Sequence, residues 1–182
     1  MNTRRAFLAA SAATLAAPAS AFTLDPILKP QYVAMDPTVE PGQIIVLPRA
    51  RFLYYVDGPG QAMRYGVGVG RAGLELQGEA IIQAKKKWPT WRPTNEMIER
   101  EPKTYAKFVD NDYVQPGGPG NPLGARALYL FQNGRDTFYR IHGTTAPRSI
   151  GQAASNGCIR MLNEHVIDLY GRVPRGTKVT VL

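Results

Sequence analysis

From Gln43 onward, short apolar-rich runs alternate with turn residues, a period-two pattern of half-buried strands rather than the 3.6-residue recurrence of helices. The runs that predict strands are Gln43–Leu47, Arg51–Val56, Ala62–Val69, Glu79–Lys85, Ala127–Gln132 and Thr137–His142. Asn133-Gly134, between two aromatic and β-branched runs, predicts a two-residue hairpin turn. Lys178–Leu182 reads as a last strand after the turn Arg175-Gly176-Thr177. Helical spacing is confined to Asn95–Glu101 and Glu164–Tyr170. For the second, Asn163 is the expected N-cap, Val166, Leu169 and Tyr170 share a face, and Gly171 offers a stop. The pattern predicts a mainly β domain with peripheral short helices.

Two stretches fall outside it. Residues 22–41 are proline-rich and weakly patterned, and read as a leader wrapping the domain. Residues 88–124 hold many prolines and glycines and both tryptophans. A connection that long inside a compact domain is a candidate lid or binding loop.

The first residues change the picture of location. Arg4-Arg5-Ala6-Phe7-Leu8, an alanine-rich run to Ala17 and Ala19-Ser20-Ala21 have the order of an export signal, with paired arginines of the twin-arginine kind. Cleavage after Ala21 is expected, which places the protein in the periplasm. The apolar run is short for a bilayer core of about 30 Å, so no membrane span is expected after cleavage. Losing residues 1–21 removes Arg4 and Arg5 and lowers the formal charge from +8 to +6. Lys85-Lys86-Lys87-Trp88 offers a basic run beside an aromatic, as nucleic-acid binding uses, but export argues against that partner and favours anionic envelope polymers.

Candidate chemistry centres on the one cysteine, Cys158. A lone cysteine cannot form an intrachain disulfide, and in an exported protein it is either buried and inert or reactive. Its neighbourhood, Ser155-Asn156-Gly157-Cys158-Ile159-Arg160-Met161, combines small residues, a turn and a cation, and His142 closes a strand-like run 16 positions upstream. Alternation would put His142 on the face of Phe138 and Arg140. Pairing with an imidazolium would lower the thiol pKa and supply a proton to a leaving amine. Gly157 would allow close approach of a substrate backbone, the amides of Gly157 and Cys158 could face an oxyanion, and Arg160 is available to a carboxylate.

Other motifs fail. Gly68-Val69-Gly70-Arg71-Ala72-Gly73 matches the dinucleotide pattern, but strand-like residues follow where a helix is required. His142, Cys158 and His165 lack zinc-ligand spacing, so no metal is expected. His165 is expected to be a solvated or capping residue with no catalytic role.

The residues His142-Gly143-Thr144, Ser155-Asn156-Gly157-Cys158-Ile159-Arg160-Met161 and Asn163 resemble the catalytic signature of the L,D-transpeptidases, the YkuD-type domain. Trp88-Pro89-Thr90-Trp91-Arg92-Pro93-Thr94, the segment Gly117–Arg126 and Asp168-Leu169-Tyr170 continue the likeness, which covers residues 42–182. The resemblance implies a β-sandwich or mixed-sheet catalytic domain without cofactor. It implies Cys158 as acylated nucleophile, His142 as base, Gly143 as the carbonyl orienting the imidazole, and Ser155 as support. It further implies Gly157 at the oxyanion, Asn156 beside it, and Arg160 steadying motif or substrate. The implied substrates are peptidoglycan stem peptides, with another stem, an envelope protein or a D-amino acid as acceptor. A hydrolase on the same scaffold and a catalytically dead wall-binding module are the competing expectations. Two departures stand out: Asn156 occupies a position where many members carry histidine or serine, and Leu76-Gln77-Gly78 replaces a Thr-Pro-containing turn.

Overall fold

A computed structural model describes residues 22–182; the expected export signal lies outside the described residues. Eleven short strands and two short α-helices carry the described chain. Strands β1 (Gln31–Ala34), β2 (Ile44–Leu47), β3 (Phe52–Gly58) and β4 (Gln61–Gly66) come first. They are followed by β5 (Val69–Gly70) and β6 (Gly78–Lys87). After helix α1 (Asn95–Arg100) come β7 (Arg126–Gln132), β8 (Arg135–His142), β9 (Ala153–Ser155) and β10 (Ile159–Arg160). Helix α2 (Asn163–Arg172) and β11 (Lys178–Val181) end the chain.

Nine strands form one mixed sheet in the order β1-β4-β3-β2-β11-β6-β7-β8-β10, while β5 and β9 pair separately. The pairings β11–β2, β10–β8 and β5–β9 are parallel; the rest are antiparallel. The sheet curls until its edge strand β10 meets the chain just beyond β4. There Gly68 and Arg160 exchange two backbone hydrogen bonds of 2.9 and 2.8 Å. Curling encloses one core, in which Ile44, Leu53, Tyr65, Ile82, Leu128, Ile141, Met161 and Leu169 are fully buried.

Most expected strands are present, and Asn133 and Gly134 both take positive φ (50° and 73°), as a right-twisting hairpin turn demands. Four expectations about these elements need correction. The run Ala62–Val69 is not one strand: β4 stops at Gly66, and β5 turns away to pair with β9. A Cβ at Gly66 would overlap Leu28, and one at Gly68 the Ser149 carbonyl, so two close approaches bend the chain here. The leader contributes a sheet strand, since β1 pairs antiparallel with β4. Asn163 is the first residue of α2 rather than its cap. Its Oδ1 accepts the Ala125 N–H (2.9 Å) and its amide donates to the Thr144 carbonyl (3.2 Å). Gly171 does not stop α2, which runs to Arg172. Lys85 instead donates to the carbonyls of Tyr170 (2.7 Å) and Val173 at the helix C-terminus.

His165 is buried against Tyr65, not solvated as expected, because α2 turns that face toward the sheet. Among the described residues no helix is long and apolar enough to cross a membrane.

Candidate active site

Segment 88–124 carries its own small aromatic cluster. Trp91 packs edge-on to Phe108 with ring centroids 5.2 Å apart, and Tyr105 and Tyr113 flank them. Arg92 ties the cluster together by donating to the carbonyls of Tyr113 (2.9 Å) and Phe108 (3.3 Å). Thr94 caps α1 through its hydroxyl, which accepts the Met97 N–H. The segment is therefore an ordered wall. Between it and the face of β7 and β8 lies a cleft of about 650 Å³, whose lining includes both His142 and Cys158.

The turn that carries Cys158 is held from within. Ser155, 2 % exposed, donates its hydroxyl to the Cys158 carbonyl (2.6 Å) and accepts the Gly157 N–H (3.0 Å). Gly157 sits at φ 118°, and a Cβ there would overlap the Leu74 carbonyl and the Tyr139 ring. Two expectations change as a result. The space beside Gly157 is filled by the protein's own Tyr139 rather than kept for substrate, and its N–H is already used by Ser155. The Cys158 N–H has no hydrogen-bond partner among the described residues and is the amide free to meet an oxyanion.

His142 ends β8, and the parallel pairing of β10 with β8 sets Arg160 opposite His142. His142 is 4 % exposed, and its Nδ1 lies 2.5 Å from the Gly143 carbonyl. That carbonyl can only accept, so Nδ1 carries the hydrogen and Nε2 keeps a lone pair. Gly143 must be glycine, because a Cβ would strike Asn163 Oδ1. A bulge in β8 shapes the opposite rim. Phe138 takes φ 61° with its ring exposed, so strict alternation fails there, and its carbonyl accepts the Cys158 thiol at 3.8 Å. Asp136 holds the bulge by accepting the Phe138 N–H (2.8 Å) and both terminal nitrogens of Arg140 (2.6 and 2.8 Å).

Electrostatics favour a neutral pair at rest, in place of the expected thiolate and imidazolium. Burial pulls the His142 pKa down to about 4, with Arg160 and Arg140 adding to the effect and the Gly143 carbonyl opposing it. Burial also pushes the Cys158 thiol up, against the pull of the Arg140 amide and the Arg140 and Arg160 charges. Desolvation exceeds the benefit of nearby cations for the thiolate, and those same cations oppose a charged imidazole.

Arg160 is half-buried in the cleft, and its side chain has no ion pair or hydrogen bond among the described residues. Asn156 does not touch the thiol. Its Oδ1 accepts from both Arg71 and Arg100 (3.0 Å for Arg100), and its amide donates to Tyr105 Oη at 2.9 Å. Leu76, from the departing turn, is buried in the core rather than on the cleft. The glycine-rich residues 68–73 form strand and turn, without the helix N-terminus that a bound pyrophosphate needs. No group of three or more metal-ligating side chains occurs among the described residues.

The family model for the YkuD L,D-transpeptidase catalytic domain matches residues 41–181. The probable L,D-transpeptidase YbiS of Escherichia coli is 36% identical over 152 residues, which is 82% of this chain and 47% of that protein. The chain thus spans about half the length of the curated relatives it matches. A crystal structure from Brucella melitensis, described as a probable carnitine operon oxidoreductase, is 54% identical. It covers 87% of this chain and 96% of that one, with a TM-score of 0.58. The catalytic domain from the Enterococcus faecium L,D-transpeptidase, solved by NMR, shares the fold at 18% identity. Its TM-score is 0.55, over 80% of this chain and 99% of that one.

Proposed function

The chain belongs to the YkuD L,D-transpeptidase family, and we propose that it is a peptidoglycan L,D-transpeptidase acting through Cys158 in the periplasm. The observation that carries this reading is the meeting of Cys158 and His142 in one cleft, with the imidazole oriented by the Gly143 carbonyl. The leader-like residues 1–21 support export, by the twin-arginine route.

In this reading His142 Nε2 takes the thiol proton as the sulfur attacks the carbonyl carbon between the diaminoacyl residue and the terminal D-alanine. The Cys158 N–H stabilises the oxyanion. The imidazolium, short-lived in so buried a site, gives its proton to the leaving amine of D-alanine, and a thioester remains. An amine acceptor then attacks the thioester, His142 again taking and returning a proton. The acceptor is another stem, giving a 3–3 cross-link, an envelope protein or a free D-amino acid. Ser155 holds the turn that presents the sulfur. The segment 88–124 serves as a wall that keeps water from the acyl-enzyme.

Product analysis on purified muropeptides tests this. Released D-alanine with cross-linked or exchanged stems, formed only when acceptor is present, supports a transpeptidase. Tripeptide alone, at an acceptor-independent rate, would instead establish a hydrolase, and no reaction on a folded protein would establish a binding module. The oxidoreductase description of the Brucella protein is not carried over, because residues 68–73 lack the strand-to-helix phosphate turn.

A further inference from the structure

The cleft and its rim contain more positive charge than the carboxylates beside them neutralise; Arg100 and Arg160 line the cleft, and Arg71 joins them at the rim through Asn156. Arg92 is used by backbone carbonyls, and Arg140 by Asp136 in a bidentate pair. Arg71, Arg100 and Arg160 remain. Glu101 is the one carboxylate within ion-pair distance of any of them among the described residues, 2.7 Å from Arg71 and 3.9 Å from Arg100. The guanidiniums of Arg71 and Arg100 converge on a single neutral oxygen, Asn156 Oδ1. An oxygen held between two guanidiniums is the geometry of a bound carboxylate, and here an amide oxygen fills it without the charge. Arg71 and Arg100 keep 48% and 41% of their side-chain surface, so an anion from solution can reach them.

The three cations come from separate parts of the chain. Arg100 lies on α1 within segment 88–124, Arg71 follows β5, and Arg160 ends β10 two residues after the nucleophile. We propose that Arg71, Arg100 and Arg160 form a carboxylate-binding subsite on the seam between segment 88–124 and the sheet, which takes a carboxylate of the stem peptide. The proposal rests on the peptidoglycan reading above. The seam is already joined by Arg71–Glu101 and by Asn156 to Arg100 and Tyr105, and a bound anion there neutralises the positive charge that remains. It also gives Asn156 a purpose in this chain: histidine or serine at that position would not offer a carbonyl oxygen to two guanidiniums.

The test measures binding by calorimetry at low salt, using the full chain with Cys158→Ala so that chemistry cannot intervene. Three tetrapeptide stems are compared: one with all carboxyls free, one with the terminal carboxyl amidated, and one with the internal carboxyls amidated. The stem with the relevant carboxyl free should bind about tenfold more tightly than its amide, and the amide that loses affinity identifies which carboxylate is bound. Arg71→Gln and Arg100→Gln should each reduce that preference to within about twofold, and Arg100→Lys should restore part of it. A preference that survives in both glutamine variants overturns the subsite. The enzyme reading fails separately: a chain with Cys158 intact that binds stems with this preference, yet releases no D-alanine, keeps the subsite and loses the transpeptidase.

Discussion

Arg160 and His142 face each other across the parallel pairing of β10 with β8, and this register sets Cys158, the residue before β10, alongside Arg140, two residues short of the end of β8. His142, 4 % exposed, is the last residue of β8, and Cys158 lies one residue ahead of β10, the strand paired with it. The ladder fixes His142 directly, and Cys158 is fixed by the adjoining β10 and by the Ser155 hydrogen bonds that close its turn. The same burial keeps both neutral at rest.

The pH profile follows from that neutrality. Because the His142 pKa is pulled down to about 4, the base form dominates throughout the neutral range. The acid limb of kcat/KM for D-alanine release should lie near pH 4 rather than near 6.5. His142→Gln should lower kcat/KM by about a hundredfold or more and remove that limb. A limb near 6.5 would mean that the resting imidazole is solvated or paired with a thiolate.

Folding stability should carry the same signature. His142 has a lower pKa folded than unfolded, so its contribution is fully present above about pH 6.5 and is lost as pH falls toward 4. Urea unfolding should show about 2.5 kcal/mol less stability at pH 4.5 than at pH 7.5 from this group. His142→Gln should flatten the dependence, and an unchanged slope would place the titration elsewhere.

Ser155→Ala removes the hydroxyl that joins the Gly157 N–H to the Cys158 carbonyl. Leaving a buried N–H unpaired should cost about 1–3 kcal/mol of stability. The acylation rate should fall with little change in KM, since the sulfur is displaced while the cleft walls stay. Equal loss in stem affinity would indicate that Ser155 binds substrate directly.

Asn163→Ala should destabilise by a similar amount, about 1–3 kcal/mol, because the Ala125 N–H and the Thr144 carbonyl both lose a partner. If Asn163 were only a helix cap, Asn163→Ser would restore stability. The two-sided contact predicts that it will not, and thermal unfolding of both variants decides the point.

Local signals in the sequence carried the strands, the Asn133-Gly134 hairpin, helix α1 and the two residues, Cys158 and His142, that line one cleft. Each rests on alternation, turn chemistry or motif spacing within a few residues. What stayed hidden depends on approach from far along the chain. Strand β1 is nearly all exposed and so lacks alternation, and the break after β4 is imposed by Leu28 and Ser149. The use of the Gly157 N–H by Ser155 shows only once the turn is closed, and burial, which reverses the expected ion pair, is not written in the motif. Asn156 looked like a departure from a catalytic pattern, and its contacts with Arg71 and Arg100 cross 85 and 56 residues.

Mass spectrometry of the intact protein after brief exposure to a disaccharide-tetrapeptide tests the central claim most directly. The expected result is an adduct equal to the stem less D-alanine, mapped to the peptide containing Cys158 and absent in Cys158→Ala. D-alanine release that persists in Cys158→Ala, or an acyl adduct on another residue, would contradict it.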